Sequence, residues 1–180
     1  MEGDDQQDGR MPMVSVFGSN GELAPGVSEL SEGLGKLILD LGCKVCTGGR
    51  GGVMEAVSRG ARTSENWTGR EIMGILPEED DRAANPFLDI VIPTGLGLYR
   101  NMLVARAGDA CIAIAGGAGT LSEIAFAWQI RKPIAVMSAS GGWAVELAVR
   151  PLAKRREGPV LDLPYPVPAE GVPRATRQLH

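Results

Sequence analysis

Ala110-Cys111-Ile112-Ala113-Ile114-Ala115-Gly116-Gly117-Ala118-Gly119-Thr120-Leu121-Ser122-Glu123 decides the fold. Its first five residues form a short, continuous apolar run, the pattern of a strand buried on both faces, and Leu121 to Ile130 has helical period. A glycine turn joins the two, so the stretch reads as strand, turn and helix start. The first N–H groups of such a helix lack intrahelical partners, the helix dipole favours negative charge there, and glycine lets the backbone approach an anion closely. Gly116, Gly117, Gly119 and Thr120 are therefore expected to bind an anion. Glu123 is read as either a helix cap or a catalytic carboxylate, because Thr120-Leu121-Ser122-Glu123 also spells a capping box.

The same grammar recurs towards the N-terminus. Met13 to Phe17 reads as a first strand ending in Gly18-Ser19-Asn20-Gly21, whose Gly18 and Ser19 are candidate ligand contacts. Cys43 to Thr47 reads as a second strand, followed by Gly48-Gly49-Arg50-Gly51-Gly52 and a helical pattern through Val53, Met54, Val57 and Ala61. Arg50 in a glycine loop has two readings, phosphate binding and plain solvent exposure, and the first is preferred. Open α/β sheets take ligands at the carboxyl ends of their strands, so these loops should share one rim and one phosphorylated ligand. None is a P-loop, since no Gly-Lys-Ser or Gly-Lys-Thr follows, and none spells the dinucleotide fingerprint, of which Gly33-Leu34-Gly35 holds only part, inside a helical run.

Further elements follow in alternation. Val27, Leu30, Leu34, Leu37, Ile38 and Leu41 mark a helical face from about Pro25, stopped by Gly42. Glu71 to Leu76 and Leu88 to Ile92 read as strands, with a polar loop from Glu78 to Asn85 between them. Thr94 and Gly95 open a turn before a helix over Tyr99–Ala107, which carries Arg100; Ile134 to Met137 is another strand, and a last helix runs from Gly141-Gly142 to Val149. Strands alternating with helices predict an α/β fold, a doubly wound parallel sheet with helices on both faces. Residues 1–12 read as a disordered N-terminal segment, 13–157 as the single domain, and 158–180 as a proline-rich tail or extended arm.

Composition narrows the function. A 180-residue chain that is 44% hydrophobic suits one domain with an ample core, and its net charge of −4 disfavours a nucleic-acid or anionic-membrane surface. No stretch approaches the roughly 20 apolar residues of a membrane span, and Met1 to Asp8 lacks the features of a signal peptide, so a cytoplasmic location is expected. Cys43, Cys46 and Cys111 lie in or beside apolar runs, and their odd number speaks against a disulfide framework. Cys43-Lys44-Val45-Cys46 matches C-x-x-C but falls in a strand pattern, where a redox pair would open a helix. With His180 the sole histidine, no metal site is expected.

Gly48-Gly49-Arg50-Gly51-Gly52-Val53-Met54, Thr94-Gly95-Leu96-Gly97-Leu98-Tyr99-Arg100-Asn101 and Gly116-Gly117-Ala118-Gly119-Thr120-Leu121-Ser122-Glu123 together resemble the Rossmann-like superfamily once labelled "lysine decarboxylase-like". The resemblance spans roughly Val14 to Val149. That superfamily includes the Lonely Guy phosphoribohydrolases, which release cytokinin base from its riboside monophosphate, and the molybdenum cofactor carrier proteins. The run Thr-Gly-Leu-Gly before Arg-Asn is closer to the carriers, whose Gly-Gly-Arg and Gly-Gly-x-Gly-Thr loops hold a phosphorylated pterin. This branch implies molybdenum cofactor as bound cargo and no other cofactor. The alternative is a nucleoside 5′-monophosphate phosphoribohydrolase, because Arg100 and Glu123 match the arginine and glutamate of the Lonely Guy enzymes.

Two departures from those enzymes stand out: Ala115 replaces the proline of Pro-Gly-Gly-x-Gly-Thr, and Asn101 stands where lysine is frequent. In the hydrolase reading, Glu123 stabilises an oxocarbenium-like state and orients water, while Arg100 fixes the phosphate or positions Glu123. Arg100 could instead be a solvated residue or pair with Asp109 or Glu123. The resemblance also implies a homodimer or higher homo-oligomer, with Ile124, Ala127, Trp128 and Ile130 as the expected interface. Related single-strand DNA-binding proteins share the fold, but an acidic chain with 4% aromatic residues lacks their basic groove and stacking platforms.

Overall fold

The computed structural model describes residues 10–149 and 160–162. Seven parallel strands form one sheet in the order β4-β3-β2-β1-β5-β6-β7. They are β1 (Met13–Gly18), β2 (Lys44–Thr47), β3 (Ile72–Leu76), β4 (Ile90–Pro93), β5 (Ala110–Ile114), β6 (Ile134–Met137) and β7 (Val160–Asp162). Helices α1 (Val27–Asp40), α2 (Val53–Ala61), α3 (Asn101–Ala107), α4 (Ala118–Gln129) and α5 (Gly142–Val149) cover both faces. The doubly wound parallel sheet expected from the alternation is the fold observed.

Strand alternation divides the core in two. Ile112 and Ile114 of β5 join Val14, Val16 and Val45 beneath α1 and α2. Cys111 and Ala113 point the other way, to Val104 of α3 and Ile124 and Ala127 of α4. Every side chain of β5 is buried, which explains why its sequence is a continuous apolar run. On α1, Val27, Leu30, Leu34 and Ile38 form the inward stripe. Its end is a Schellman motif: Gly42, at φ 72°, donates its N–H to Leu39 O, and Cys43 N–H reaches Ile38 O.

Close packing of α1 on α2 explains the fingerprint fragment. A Cβ on Gly35 would stand 2.0 Å from the Val57 carbonyl oxygen, and one on Gly60 2.0 Å from that of Glu32. Gly33-Leu34-Gly35 therefore serves helix packing.

Several boundaries differ from the sequence reading. Helix α4 begins at Ala118, three residues before the apolar period becomes visible. The helix expected over Tyr99–Ala107 divides into a 3₁₀ turn, Gly97–Arg100, and α3. Strand β4 begins at Ile90, because the Asp89 carboxylate accepts the N–H groups of Glu71 and Ile72 where the ladder would continue. Of the apolar residues expected at a subunit interface, Ile124 and Ala127 are fully buried in the monomer core, which leaves the partly exposed Trp128 and Ile130 as the accessible part of that cluster. Val160–Asp162, within the proline-rich stretch, pairs with β6; the rest of that stretch and residues 1–9 lie outside the described residues.

Candidate functional site

The chain runs outward from β1 to β4 and then returns to β5 on the other side of β1, so strand order reverses between β1 and β5. Ligands of open α/β sheets bind at that reversal, beyond the carboxyl ends of the strands. A cavity of about 290 Å³ lies there, lined by Gly18, Ser19 and Asn20 after β1, by Gly117, Gly119, Thr120 and Glu123 around the start of α4, and by Arg50, Met54, Leu98, Arg100 and Asn101.

At its floor a guanidinium and a carboxyl group are paired. Arg100 Nη1 donates to Glu123 Oε1 at 3.2 Å, with the two side chains only 8% and 7% exposed. Burial pushes the Glu123 carboxyl up to about 8, against the opposing pull of the Arg100 guanidinium. Burial likewise lowers Arg100, which Glu123 counteracts. The Arg100 Nε–H is buried without an acceptor among the described residues. Beneath the pair, burial pushes the Cys46 thiol up to about 12, so it remains protonated; Cys43, Cys46 and Cys111 are all free and buried.

This pairing corrects one reading of the motif. With α4 starting at Ala118 and Gly117 as its N-cap, Thr120 is the third helical residue and Glu123 the sixth. Glu123 therefore points into the cavity floor from the second turn, too far along to cap the helix, and no side chain caps that end. Of the open alternatives for Arg100, pairing with Glu123 is the one found; Asp109 pairs instead with Arg10 at 2.7 Å.

The surrounding loops hold this floor in place. Asn101 Nδ2 donates to Ser122 Oγ at 2.8 Å, and Ser122 Oγ donates to Gly119 O at 2.7 Å, which ties α3 to the first turns of α4. Ala115 N–H donates to Ser140 Oγ at 2.6 Å, with Ala115 itself at φ 50°. Asn85 Nδ2 donates to the carbonyls of Gly49 and Arg50 at 3.2 and 3.0 Å, anchoring the main chain of the second loop. The Arg50 guanidinium reaches the cavity and also pairs with Glu78 Oε1 at 3.2 Å.

The expected contact residues thus fall into three groups. Gly18, Ser19, Arg50, Gly117, Gly119 and Thr120 line the cavity with Arg100 and Glu123. Gly48, Gly49, Gly51, Gly52 and Gly116 are not among the lining residues; several let neighbouring groups close up, since a Cβ on Gly52 would stand 2.3 Å from Ser19 O, and one on Gly116 2.4 Å from the Thr120 side chain. Thr94 and Gly95 are not brought to the cavity, because Thr94 Oγ1 donates to Leu76 O and Gly95 N–H to Glu78 O at the end of β4. Met54 and Leu98, the apolar part of the lining, were missed as ligand contacts. Both follow glycine turns, which was the one signal that could have found them.

Among the described residues no group of three His, Cys, Asp or Glu side chains could hold a metal ion, and no helix is long and apolar enough to cross a membrane.

Comparison with known proteins agrees with this fold. The family model described as the SLOG cluster4 family matches residues 11–158. An uncharacterized protein of Archaeoglobus fulgidus is 36% identical over 126 residues, 70% of this chain and 80% of its own length. The molybdenum cofactor binding protein of the phototrophic bacterium Rippkaea orientalis superposes with a TM-score of 0.77 at 31% identity, over 94% of this chain and 98% of that one. The molybdenum cofactor carrier protein of Chlamydomonas reinhardtii does so with a TM-score of 0.73 at 28% identity, over 93% and 98%.

Proposed function

The chain belongs to the SLOG cluster4 family, and we propose that it binds a phosphorylated, nucleotide-sized ligand in the cavity at the strand-order reversal, with molybdenum cofactor as its cargo. The observation that carries this reading is the buried Arg100, whose Nε–H is unpaired, in a cavity that Arg50 and the start of α4 also line. Two guanidinium groups and the unpaired N–H groups of a helix start suit a phosphate. Met54 and Leu98 offer an apolar wall for a flat ring, and Ser19 and Asn20 offer polar contacts at its edge. The volume, about 290 Å³, is at the lower end of small-molecule sites and suits one phosphorylated heterocycle better than a dinucleotide. Solved relatives described as binding or carrying molybdenum cofactor support that choice of cargo.

The test is retention of cargo. Protein purified anaerobically from a host that makes the cofactor should release a fluorescent pterin after oxidation, in near-equimolar amount, and Arg50→Ala should release much less. Wild-type protein that carries no pterin and takes none up would overturn the cargo assignment.

A second reading is favoured by one observation. A carboxyl that burial pushes up to about 8, next to a guanidinium at the cavity floor, suits a group that exchanges a proton near neutral pH. Glu123 and Arg100 would then serve N-glycosidic hydrolysis of a nucleoside 5′-monophosphate. Incubation with AMP or isopentenyladenosine monophosphate should in that case yield free base and ribose 5-phosphate, and Glu123→Gln should abolish the release while preserving binding. Ala115 at φ 50° weighs towards the carrier, because the proline of the hydrolase motif cannot adopt that angle. The homodimer or higher oligomer implied by the resemblance is tested by sedimentation of the purified chain.

A further inference from the structure

Two arginines reach the cavity, and they differ in freedom. Arg100 is buried and fixed between Glu123 and the Gly48 backbone. Arg50 has an anchored root, since Asn85 holds its carbonyl, but its side chain is 40% exposed, and among the described residues it pairs with Glu78, itself 30% exposed.

That ion pair is weak by construction. It uses one oxygen of the carboxylate at 3.2 Å, while the other, Oε2, is buried with no hydrogen-bond partner among the described residues. A half-exposed pair held through one oxygen contributes little, whereas a phosphate can take a guanidinium through two parallel hydrogen bonds. Glu78 and Arg50 also act on Arg100 with opposite sign, so both sit within the field of the cavity.

Resting on the phosphate-binding reading above, we propose that Glu78 is a built-in competitor for the ligand: it holds the Arg50 guanidinium until a phosphomonoester displaces it, and thereby sets the affinity of the site. The backbone of the second glycine loop stays in place, and only the head of Arg50 changes partner. A site tuned this way is looser than its two arginines alone would make it, and it can release what it holds.

Titration calorimetry with ribose 5-phosphate on four proteins tests the idea: wild type, Arg50→Ala, Glu78→Gln and the double variant. Glu78→Gln should bind about two- to fivefold more tightly than wild type, the scale of an exposed ion pair. Arg50→Ala should bind about tenfold or more weakly, the scale of a hydrogen bond to a charged group. Adding Glu78→Gln to Arg50→Ala should restore nothing. A substitution that merely damages the fold lowers affinity and melting temperature together, so a gain has no such origin. Weaker binding by Glu78→Gln would instead make Glu78 the residue that aims Arg50. An equal gain with and without Arg50 would reduce Glu78 to a diffuse negative field. Either result overturns the proposal. Absence of binding by wild type overturns the phosphate reading itself, and shows before any variant is compared.

Discussion

Gly48 and Arg100 are packed so closely that a Cβ on Gly48 would lie 2.5 Å from Arg100 Nη2 and 2.6 Å from Nη1. The guanidinium is pinned on its other side by Glu123, so it cannot retreat without breaking the buried pair. Gly48→Ala should therefore cost about 1–3 kcal/mol, the usual range for overpacking, and weaken ligand binding at least as much as Arg50→Ala does. Chemical denaturation and calorimetry on one preparation check both. Wild-type affinity in Gly48→Ala would mean that Arg100 is not a ligand contact.

Glu123 makes stability depend on pH with a definite sign. Its carboxyl is raised from 4.5 to about 8 in the folded chain, so the folded state binds the proton more tightly than the unfolded state. The contribution is fully present below about pH 4.5 and is lost as pH rises through about 8. Relative to Glu123→Gln, the wild-type chain should lose stability between pH 5 and 8, at no more than about 1.4 kcal/mol per pH unit for one proton. The Cys46 thiol, at about 12, does not titrate in that window. Urea midpoints of the two proteins across that range settle the matter, and parallel curves would mean that Glu123 stays ionised throughout.

Ala115 is a non-glycine residue at φ 50°, held there by its N–H bond to Ser140 Oγ. Left-handed conformation costs an L-residue about 1–2 kcal/mol. Ala115→Gly should accordingly raise stability by up to about 1 kcal/mol. Ala115→Pro removes the donor and demands a φ near −65°, and should cost about 3 kcal/mol or more. Thermal melts of the two variants should shift in opposite directions.

Three glycines of the α1/α2 pair separate packing from propensity. Gly35→Ala and Gly60→Ala would each drive a methyl group into a facing carbonyl, and both should be strongly destabilising, by about 3 kcal/mol or more. Gly33, with nothing among the described residues within 4 Å of a Cβ, should instead gain about 0.5–1 kcal/mol on substitution by alanine. A melting series of the three checks this without any ligand.

Much of this molecule is legible in the chain because its signals are local. A strand buried on both faces must be apolar throughout, as Ala110 to Ile114 is, and a helix on such a sheet must repeat its apolar residues every three or four positions, as Val27 to Ile38 does. Glycines at the ends of β1, β2 and β5 marked the rim where a ligand belongs, and from these alone the α/β sheet and its ligand edge follow. What Glu123 does could not be read there, because Thr120-Leu121-Ser122-Glu123 fits a capping box as well as a buried carboxylate. The choice depends on where α4 starts and on Arg100, which comes from another βα unit 23 positions away. Thr94 and Gly95 have the same turn chemistry as the lining residues, but β4 lies at the far edge of the sheet, three strands from β1. The Asn85 anchor and the Glu78 partner of Arg50 come from a polar loop with no pattern of its own. Periodicity and turn residues report each segment's own backbone, so the sequence alone determined the elements and their rim. Burial, charge pairing and the cavity arise between segments, and only the tertiary structure decided which side chains share them.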